Sequence, residues 1–145
     1  MATSRPVEAL PADAPIISRR FPPISRHMLA LYCGASGDIN PIHVDLDFAR
    51  AAGFPDVFAH GMLVMAYLGL MLEEAGPPEG IVALSTRFVA ITQLGATITC
   101  EARIAQVTED RLHLELVAVD ELGEVKLQGS AILDRQSWGD RLGQA

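Results

Sequence analysis

The chain has 145 residues, of which 50% are hydrophobic and 20% are charged, and its net charge is −7 at pH 7. A single domain of this size can bury a substantial core, and so apolar a composition excludes an intrinsically disordered chain. The acidic balance, with no basic run that could neutralise phosphates, excludes nucleic acid as an expected partner.

The cysteines and the apolar runs bear on the compartment. Cys33 and Cys100 offer neither a disulfide framework nor metal-ligand spacing, which is typical of a reducing environment. Residues 1–15 are rich in proline and alanine and lack the apolar core of a signal peptide, so they are predicted to form a loose arm. The longest nearly uninterrupted apolar run, residues 62–72, is shorter than the roughly 18 residues of a membrane span. We therefore expect a soluble, cytoplasmic protein that does not enter a membrane.

The first predicted elements are a short strand and a helix. Residues 16–24 predict an edge strand whose pairing is limited by two prolines. Ser25 is a typical N-cap for a helix that reaches about residue 35, where glycines end it. Residues 38–43 then form an irregular loop, because a glycine and a proline interrupt the helical pattern.

A short helix and a long apolar helix follow. The short helix has Asp45 or Asp47 as its N-cap and runs through residue 52, where a glycine stops it. Residues 54–60 are another loop. Residues 61–75 predict the central helix, which is apolar on every side for most of its length, so protein must enclose it.

The second half of the chain predicts antiparallel strands. Apolar and polar residues alternate along four segments: 81–89, 96–107, 112–119 and 125–133. Helices followed by a run of such strands indicate the α+β class. We expect one domain over residues 16–135 and a C-terminal tail over residues 136–145.

An acid and an imidazole, Asp38 and His43, lie close together on the first loop. A carboxylate and an imidazole held near each other can position and polarise a water molecule. Gly61 begins the central helix, whose N-terminus can bind negative charge that forms on a carbonyl oxygen. These groups could add water to an activated double bond, or remove it. The other interpretations are a turn aspartate, a structural histidine and a glycine needed for packing.

The string SGDINPIHVD at residues 36–45 follows the pattern SGDxNPxHxD. It closely resembles the signature of the MaoC-like, R-specific enoyl-thioester hydratases and dehydratases. Tyr32 upstream and the string AHGM at residues 59–62 match as well, and the resemblance extends over residues 25–133. It implies the hot-dog fold, in which a curled antiparallel sheet wraps around one long helix.

The resemblance also implies roles for individual residues. Asp38 and His43 would be the catalytic pair that shares one water, and the backbone N–H of Gly61 would bind the thioester oxygen. Asn40 and Pro41 are expected to shape the loop.

His60 is expected to fix its loop by hydrogen bonding, without a part in the chemistry. No metal is predicted, because calcium loops space their ligands differently and place a glycine where this chain has Asn-Pro-Ile. No cofactor is expected either.

Two positions depart from the family pattern. Gly69 lies in the middle of the central helix, where some relatives carry a hydroxyl residue that supports the catalytic acid. Such support would come from elsewhere here, or the acyl pocket would be larger. Residues 90–95 replace a proline-containing turn of the relatives, which affects the shape of the loop but not the fold.

The activity implied is the interconversion of trans-2-enoyl and (R)-3-hydroxyacyl thioesters of coenzyme A or acyl carrier protein, by syn addition or elimination of water. A homodimer, or a heterodimer with a related hot-dog subunit, is expected to cover the sheet edge and the flank of the central helix. One alternative is a hot-dog thioesterase, although such enzymes place an acid on the central helix and none precedes Glu73. Another is an acyl-thioester-binding subunit of a heterodimeric dehydratase. Acyl length, carrier and pathway stay open.

Overall fold

The computed structural model describes residues 15–142, apart from the side chain of residue 140. The predicted N-terminal arm therefore lies, except for Pro15, outside the described residues. Within residues 15–142, five strands form one antiparallel sheet in the order β1-β3-β4-β5-β2. They are β1 (Ile17–Arg20), β2 (Ile81–Phe88), β3 (Thr99–Val107), β4 (Arg111–Val119) and β5 (Val125–Asp134).

The helices are α1 (Arg26–Ser36), α2 (Leu46–Ala51), α3 (Gly61–Ala75) and α4 (Arg135–Leu142), with 3₁₀ turns at Pro41–His43 and Pro78–Gly80. The α+β class is confirmed, and the bounds of α3 agree with the prediction. The predicted cap of α1 is also confirmed, since the Ser25 hydroxyl accepts a hydrogen bond from the N–H of Met28 at 3.1 Å. Asp45, rather than Asp47, caps α2.

The core lies between α3 and the concave face of the sheet. In β4, buried and partly buried residues alternate along the whole strand, as period-two patterning requires. Leu68 and Leu72 of α3 and Leu114 of β4 are almost completely buried. Each such side chain stabilises the fold by about 1.5–3 kcal/mol relative to an exposed position. The sheet therefore holds α3, and with it the start of that helix, in a fixed position.

Among residues 15–142, the chain covers one face of α3 and leaves the other exposed. Met62 is 51% exposed and Leu70 is 42% exposed, whereas the opposite face of the helix is buried. The sheet thus encloses this helix on one side, and the flank that the predicted partner subunit would cover is exposed. The reason is geometric, because one five-stranded sheet packs against one face of a helix.

The C-terminal segment differs from the predicted tail. Residues 135–142 form α4, and Trp138 in this helix is completely buried. Its indole N–H donates a hydrogen bond to the carbonyl of Pro77 at 3.0 Å. The ring packs against Gly76 and Gly80, where an added Cβ would lie 2.7 and 2.6 Å from indole atoms. Residues 136–142 thus belong to the domain.

Two smaller differences concern local structure. Residues 41–43 form a 3₁₀ turn inside the segment predicted as an irregular loop, and β3 begins at Thr99 rather than at residue 96. Among residues 15–142, no helix combines the length and the apolar character that crossing a bilayer requires. The strands at the two edges of the sheet are β1 and β2.

Candidate active site

A tight turn after α1 presents Asp38. Gly37 ends the helix in the left-handed region, with φ 77°, and its N–H donates to the carbonyl of Cys33 at 3.1 Å. The N–H of Asp38 donates to the hydroxyl of Ser36 at 3.1 Å, and the carboxylate of Asp38 accepts from the N–H of Asn40 at 3.3 Å. Asp38 is exposed, and these hydrogen bonds fix the conformation of the turn that carries it.

The 3₁₀ turn that follows directs His43 inward. The side-chain oxygen of Asn40 accepts from the N–H of Ile42 at 3.1 Å, and Pro41 is the first residue of the turn. His43 is only 8% exposed. Asn40 and Pro41 thus occupy positions that shape the loop, although their role stays a prediction.

The protonation pattern of His43 follows from one contact. Its Nδ1 lies 2.7 Å from the carbonyl oxygen of Phe58. Because a carbonyl oxygen can only accept, Nδ1 carries the proton, and in the neutral ring Nε2 has a free lone pair. Nε2 can therefore accept a proton or a hydrogen bond from water, as a general base requires.

His60 stacks on His43, with ring centroids 3.8 Å apart. Its Nε2 lies 3.1 Å from the backbone carbonyl of Asp38 and 3.4 Å from the Sγ of Cys33. The contact with the carbonyl of Asp38 links the start of α3 to the loop after α1, and the loop-fixing role of His60 stays a prediction. Burial lowers the pKa of His60, although the carbonyl of Asp38 acts in the opposite direction. The lowered pKa favours the neutral form of His60.

The acid and the two histidines form one cluster. One ligand atom from each of Asp38, His43 and His60 lies within 4.8 Å of the others. Two groups at this separation can hydrogen-bond the same bridging water. The ring of Tyr32 meets His60 edge-on with centroids 4.7 Å apart, and burial together with the charge of Asp38 raises the pKa of Tyr32. Tyr32 is thus a neutral phenol beside the cluster.

The same three side chains are the set that could hold a metal ion among the described residues. The planes of the two imidazoles are inclined by only 27°. In stacked rings the nitrogen lone pairs lie side by side instead of converging on one point, as tetrahedral coordination requires. The geometry therefore suits a bridging water better than a metal, and the absence of a metal stays a prediction.

A cavity of about 330 Å³ lies at the start of α3. It is lined by His43, Phe58, Ala59, Gly61, Phe88, Val89, Ala90, Ile91 and Thr92. Asp38 is not part of this lining but adjoins it through His43. The structure therefore places two of the predicted site residues, His43 and Gly61, on one cavity.

The start of α3 is open toward ligands. His60 occupies the N-cap position and makes no side-chain cap hydrogen bond, and its backbone carbonyl accepts from the N–H of Leu63 at 3.1 Å. The N–H groups of Gly61 and Met62 precede this bond and have no acceptor within the helix. A Cβ at Gly61 would lie 2.8 Å from two carbons of the Phe88 ring. Only glycine fits here with the ring in place, so both interpretations of Gly61 from the sequence, packing and binding, keep support.

The cavity wall, defined as residues 88–92, lines the site but is not predicted from the sequence. The N–H of Ala59 donates to the carbonyl of Thr92 at 2.9 Å, which joins this wall to the loop that carries Phe58 and His60. The only sequence signal is the apolar run after Arg87, and such a run does not indicate that these residues lie beside the site. At Gly69 an added Cβ would meet nothing within 4 Å, so no neighbour requires glycine there.

Comparisons with known proteins show which sequences this chain resembles. The family model of the MaoC like domain matches residues 9–124. An (R)-specific enoyl-CoA hydratase of Rhodospirillum rubrum is 28% identical over 111 residues, which are 74% of this chain and 77% of that protein. Peroxisomal enoyl-CoA hydratase 2 of Arabidopsis thaliana is 33% identical over 75 residues, which are 50% of this chain but only 24% of that protein.

Solved structures share the fold of this chain. The (R)-hydratase from Aeromonas caviae, described as involved in PHA biosynthesis, superposes with a TM-score of 0.73. The match has 22% sequence identity and covers 86% of this chain and 98% of that one. At this level of identity it shows the fold, which confirms the predicted hot dog.

Proposed function

Because the chain belongs to the MaoC-like domain family, we propose that it hydrates trans-2-enoyl thioesters of coenzyme A to (R)-3-hydroxyacyl thioesters and catalyses the reverse dehydration. The observation that carries this proposal is the position of the Asp38 carboxylate and the His43 imidazole within reach of one water, next to the open start of α3. The hydratase names of the curated relatives support the coenzyme A carrier.

The mechanism needs only groups of this chain and one water. Asp38 and Nε2 of His43 hold the water, whose oxygen forms a bond to the β-carbon of the enoyl group. One proton of that water goes to the pair, and a proton returns from the pair to the α-carbon on the same face, so the elements of water add in syn fashion. Negative charge on the thioester oxygen is bound at the N–H of Gly61. Dehydration reverses these steps.

Partner subunits belong to the same proposal. Exposed apolar residues lie on the uncovered face of α3 and on the edge strand β2; they are Met62, Leu70 and Val82. A second copy of the chain, or a related hot-dog subunit, would cover this surface. Light scattering at micromolar concentration is expected to give the mass of two chains, and a monomer would contradict the dimer.

The free thiols support a proposal for the location of the protein. Cys33 and Cys100 are free and buried in the structure. Unpaired cysteines support a reducing compartment, and we propose the cytoplasm. No cofactor enters the proposed reaction.

The function is tested by loss of the enoyl absorbance with crotonyl-CoA and a longer enoyl-CoA. Asp38→Asn and His43→Ala should each lower turnover by about two to four orders of magnitude, with unchanged circular dichroism. Asp47→Asn, which alters an exposed carboxylate on α2 outside the cluster, is the matched control and should retain wild-type turnover.

Three outcomes would count against the proposal. A loss of less than about tenfold for Asp38→Asn or His43→Ala would remove that residue from the mechanism. Release of free thiol from acyl-CoA, abolished by Asp38→Asn, would indicate the thioesterase instead. A folded wild-type chain that hydrates no enoyl-CoA would favour the binding-subunit alternative.

A further inference from the structure

The only lysine of the chain is buried. Lys126, in β5, is 2% exposed, although lysine is among the residues least often buried. Its ammonium lies 3.2 Å from the carboxylate of Asp120 and also pairs with Glu124. An ammonium without such partners would be expensive to bury, so these contacts keep the charge in place.

A third contact of Lys126 leads to the cavity. Its Nζ donates a hydrogen bond to the carbonyl of Ile91 at 3.1 Å. The backbone of the same lysine also takes part, because its carbonyl accepts from the N–H of Val89 at 2.8 Å. Lys126 therefore holds the cavity wall at two points, one through its side chain and one through its main chain.

The cavity wall transmits this constraint toward His43. The carbonyl of Thr92, next to Ile91, accepts from the N–H of Ala59 at 2.9 Å. The preceding residue, Phe58, provides the carbonyl that fixes Nδ1 of His43 at 2.7 Å. A short series of hydrogen bonds thus connects the buried ammonium with the side of the cavity that carries the imidazole.

The turn beside Lys126 does not need the lysine for its own geometry. The carboxylate of Asp120 already accepts from the N–H groups of Leu122 and Glu124, each at 2.9 Å. These two bonds close the turn between β4 and β5 locally. The hydrogen bond from Lys126 to the carbonyl of Ile91 has no part in the geometry of this turn.

The ammonium is a constant feature of the site rather than a switch. Burial would lower the pKa of Lys126, but the hydrogen bonds to Glu124 and Asp120 outweigh burial and raise it. Lys126 is consequently charged throughout the neutral range, so its Nζ keeps its proton for the hydrogen bond to the carbonyl of Ile91.

We propose that Lys126 is a positioning residue for substrate binding, which holds the cavity wall against the loop of Phe58 and the start of α3. The kinetic test of this role rests on the proposed hydratase function. The lysine touches neither the substrate nor the reacting atoms. It fixes the width of the cavity in which the acyl thioester lies, so its loss should weaken binding more than chemistry.

The test compares two variants with a control. Lys126→Met removes the ammonium, and Lys126→Met with Asp120→Asn also removes the buried charge left behind, while the amide oxygen can still accept the bonds of the turn. Asp134→Ala is the control, since it removes the contacts of Asp134 to Ser137 and Arg111 at the opposite end of β5.

In both lysine variants we expect KM for enoyl-CoA to rise about tenfold, which is the effect of one lost hydrogen bond to a charged group, with kcat changed less than about threefold. Asp134→Ala should lower the melting temperature and leave KM unchanged. A lysine that serves stability alone would give that second pattern, so an unchanged KM in the double variant overturns the proposal. A double variant that fails to fold overturns it too.

Hydrogen exchange separates this proposal from the proposed function. The N–H of Ala59, bound to the cavity wall, should exchange faster in both lysine variants than in the wild type or in Asp134→Ala. If the wild type hydrates no enoyl-CoA, the proposed function fails and exchange alone decides. Unchanged protection of Ala59 would then show that Lys126 does not hold the wall.

Discussion

Replacing Gly61 with alanine tests the close contact between α3 and the cavity wall. A Cβ at this position would lie 2.8 Å from two carbons of the Phe88 ring. Carbon atoms in favourable contact are about 3.5–4.0 Å apart, so the ring must move by roughly 0.7–1.2 Å. Because Phe88 is 52% exposed, the ring can turn outward, and the cost belongs at the low end of about 1–3 kcal/mol for overpacking.

Whether Gly61→Ala stabilises or destabilises the fold should depend on the Phe88 ring. The alanine itself contributes about 0.4–1 kcal/mol of stability where the backbone tolerates it, and Gly61 has no positive φ. Gly61→Ala alone should therefore destabilise the fold by about 0.5–1.5 kcal/mol, or a few degrees in melting temperature. In a Phe88→Ala background the same change should stabilise the protein, which gives a coupling free energy of about 1–2 kcal/mol.

Urea denaturation of the four proteins in this cycle measures the coupling. Gly34→Ala in α1 is the matched control, because an added Cβ there meets nothing within 4 Å, and it should be stabilising with or without Phe88. Activity provides a second readout: the displaced ring should lower kcat/KM by up to about a hundredfold, since small misplacements in a site are costly. Additive effects of Gly61→Ala and Phe88→Ala would refute the reasoning.

Two further predictions concern buried groups away from that contact. Trp138→Ala should destabilise the fold by about 3–5 kcal/mol in urea denaturation, because a completely buried indole is lost, and a change below about 1 kcal/mol would show that α4 does not belong to the core. Because the pKa of His60 is lowered in the folded protein, the unfolded chain binds a proton at a higher pH than the folded protein does. Protonation therefore favours unfolding, and His60 should lower the stability of the fold as the pH falls below about 6.5. The drop in melting temperature from pH 7.5 to 5.5 should be smaller in His60→Gln, and an equal drop would contradict this origin.

The elements that the sequence predicted well have local causes. The central helix was predicted with its observed bounds, because its apolar run begins after a loop and ends at glycine and two prolines. Ser25 was recognised as a cap, since the side chain bonds within its own turn. The strands after α3 were visible from alternation alone.

What the sequence did not reveal depends on contacts between distant segments. Trp138 is buried only because Gly76 and Gly80, some sixty residues earlier, leave room for its ring. The stacking of His43 on His60 needs two loops brought together by the fold. Similarly, no pattern near Phe88 indicates that its ring lies over Gly61. The motif therefore predicted the chemical groups of the site but not the surfaces that enclose them.

The uncapped start of α3 has a consequence for how the protein responds to its ligand. A side-chain cap is worth about 1 kcal/mol to a helix, and this helix begins without one. An anionic oxygen bound at those N–H groups would complete the helix from outside. A non-reacting thioester analogue at a hundred times its Kd would then raise the free energy of unfolding by about 2.7 kcal/mol. Occupancy of the site could thus be followed from the melting curve, without any turnover.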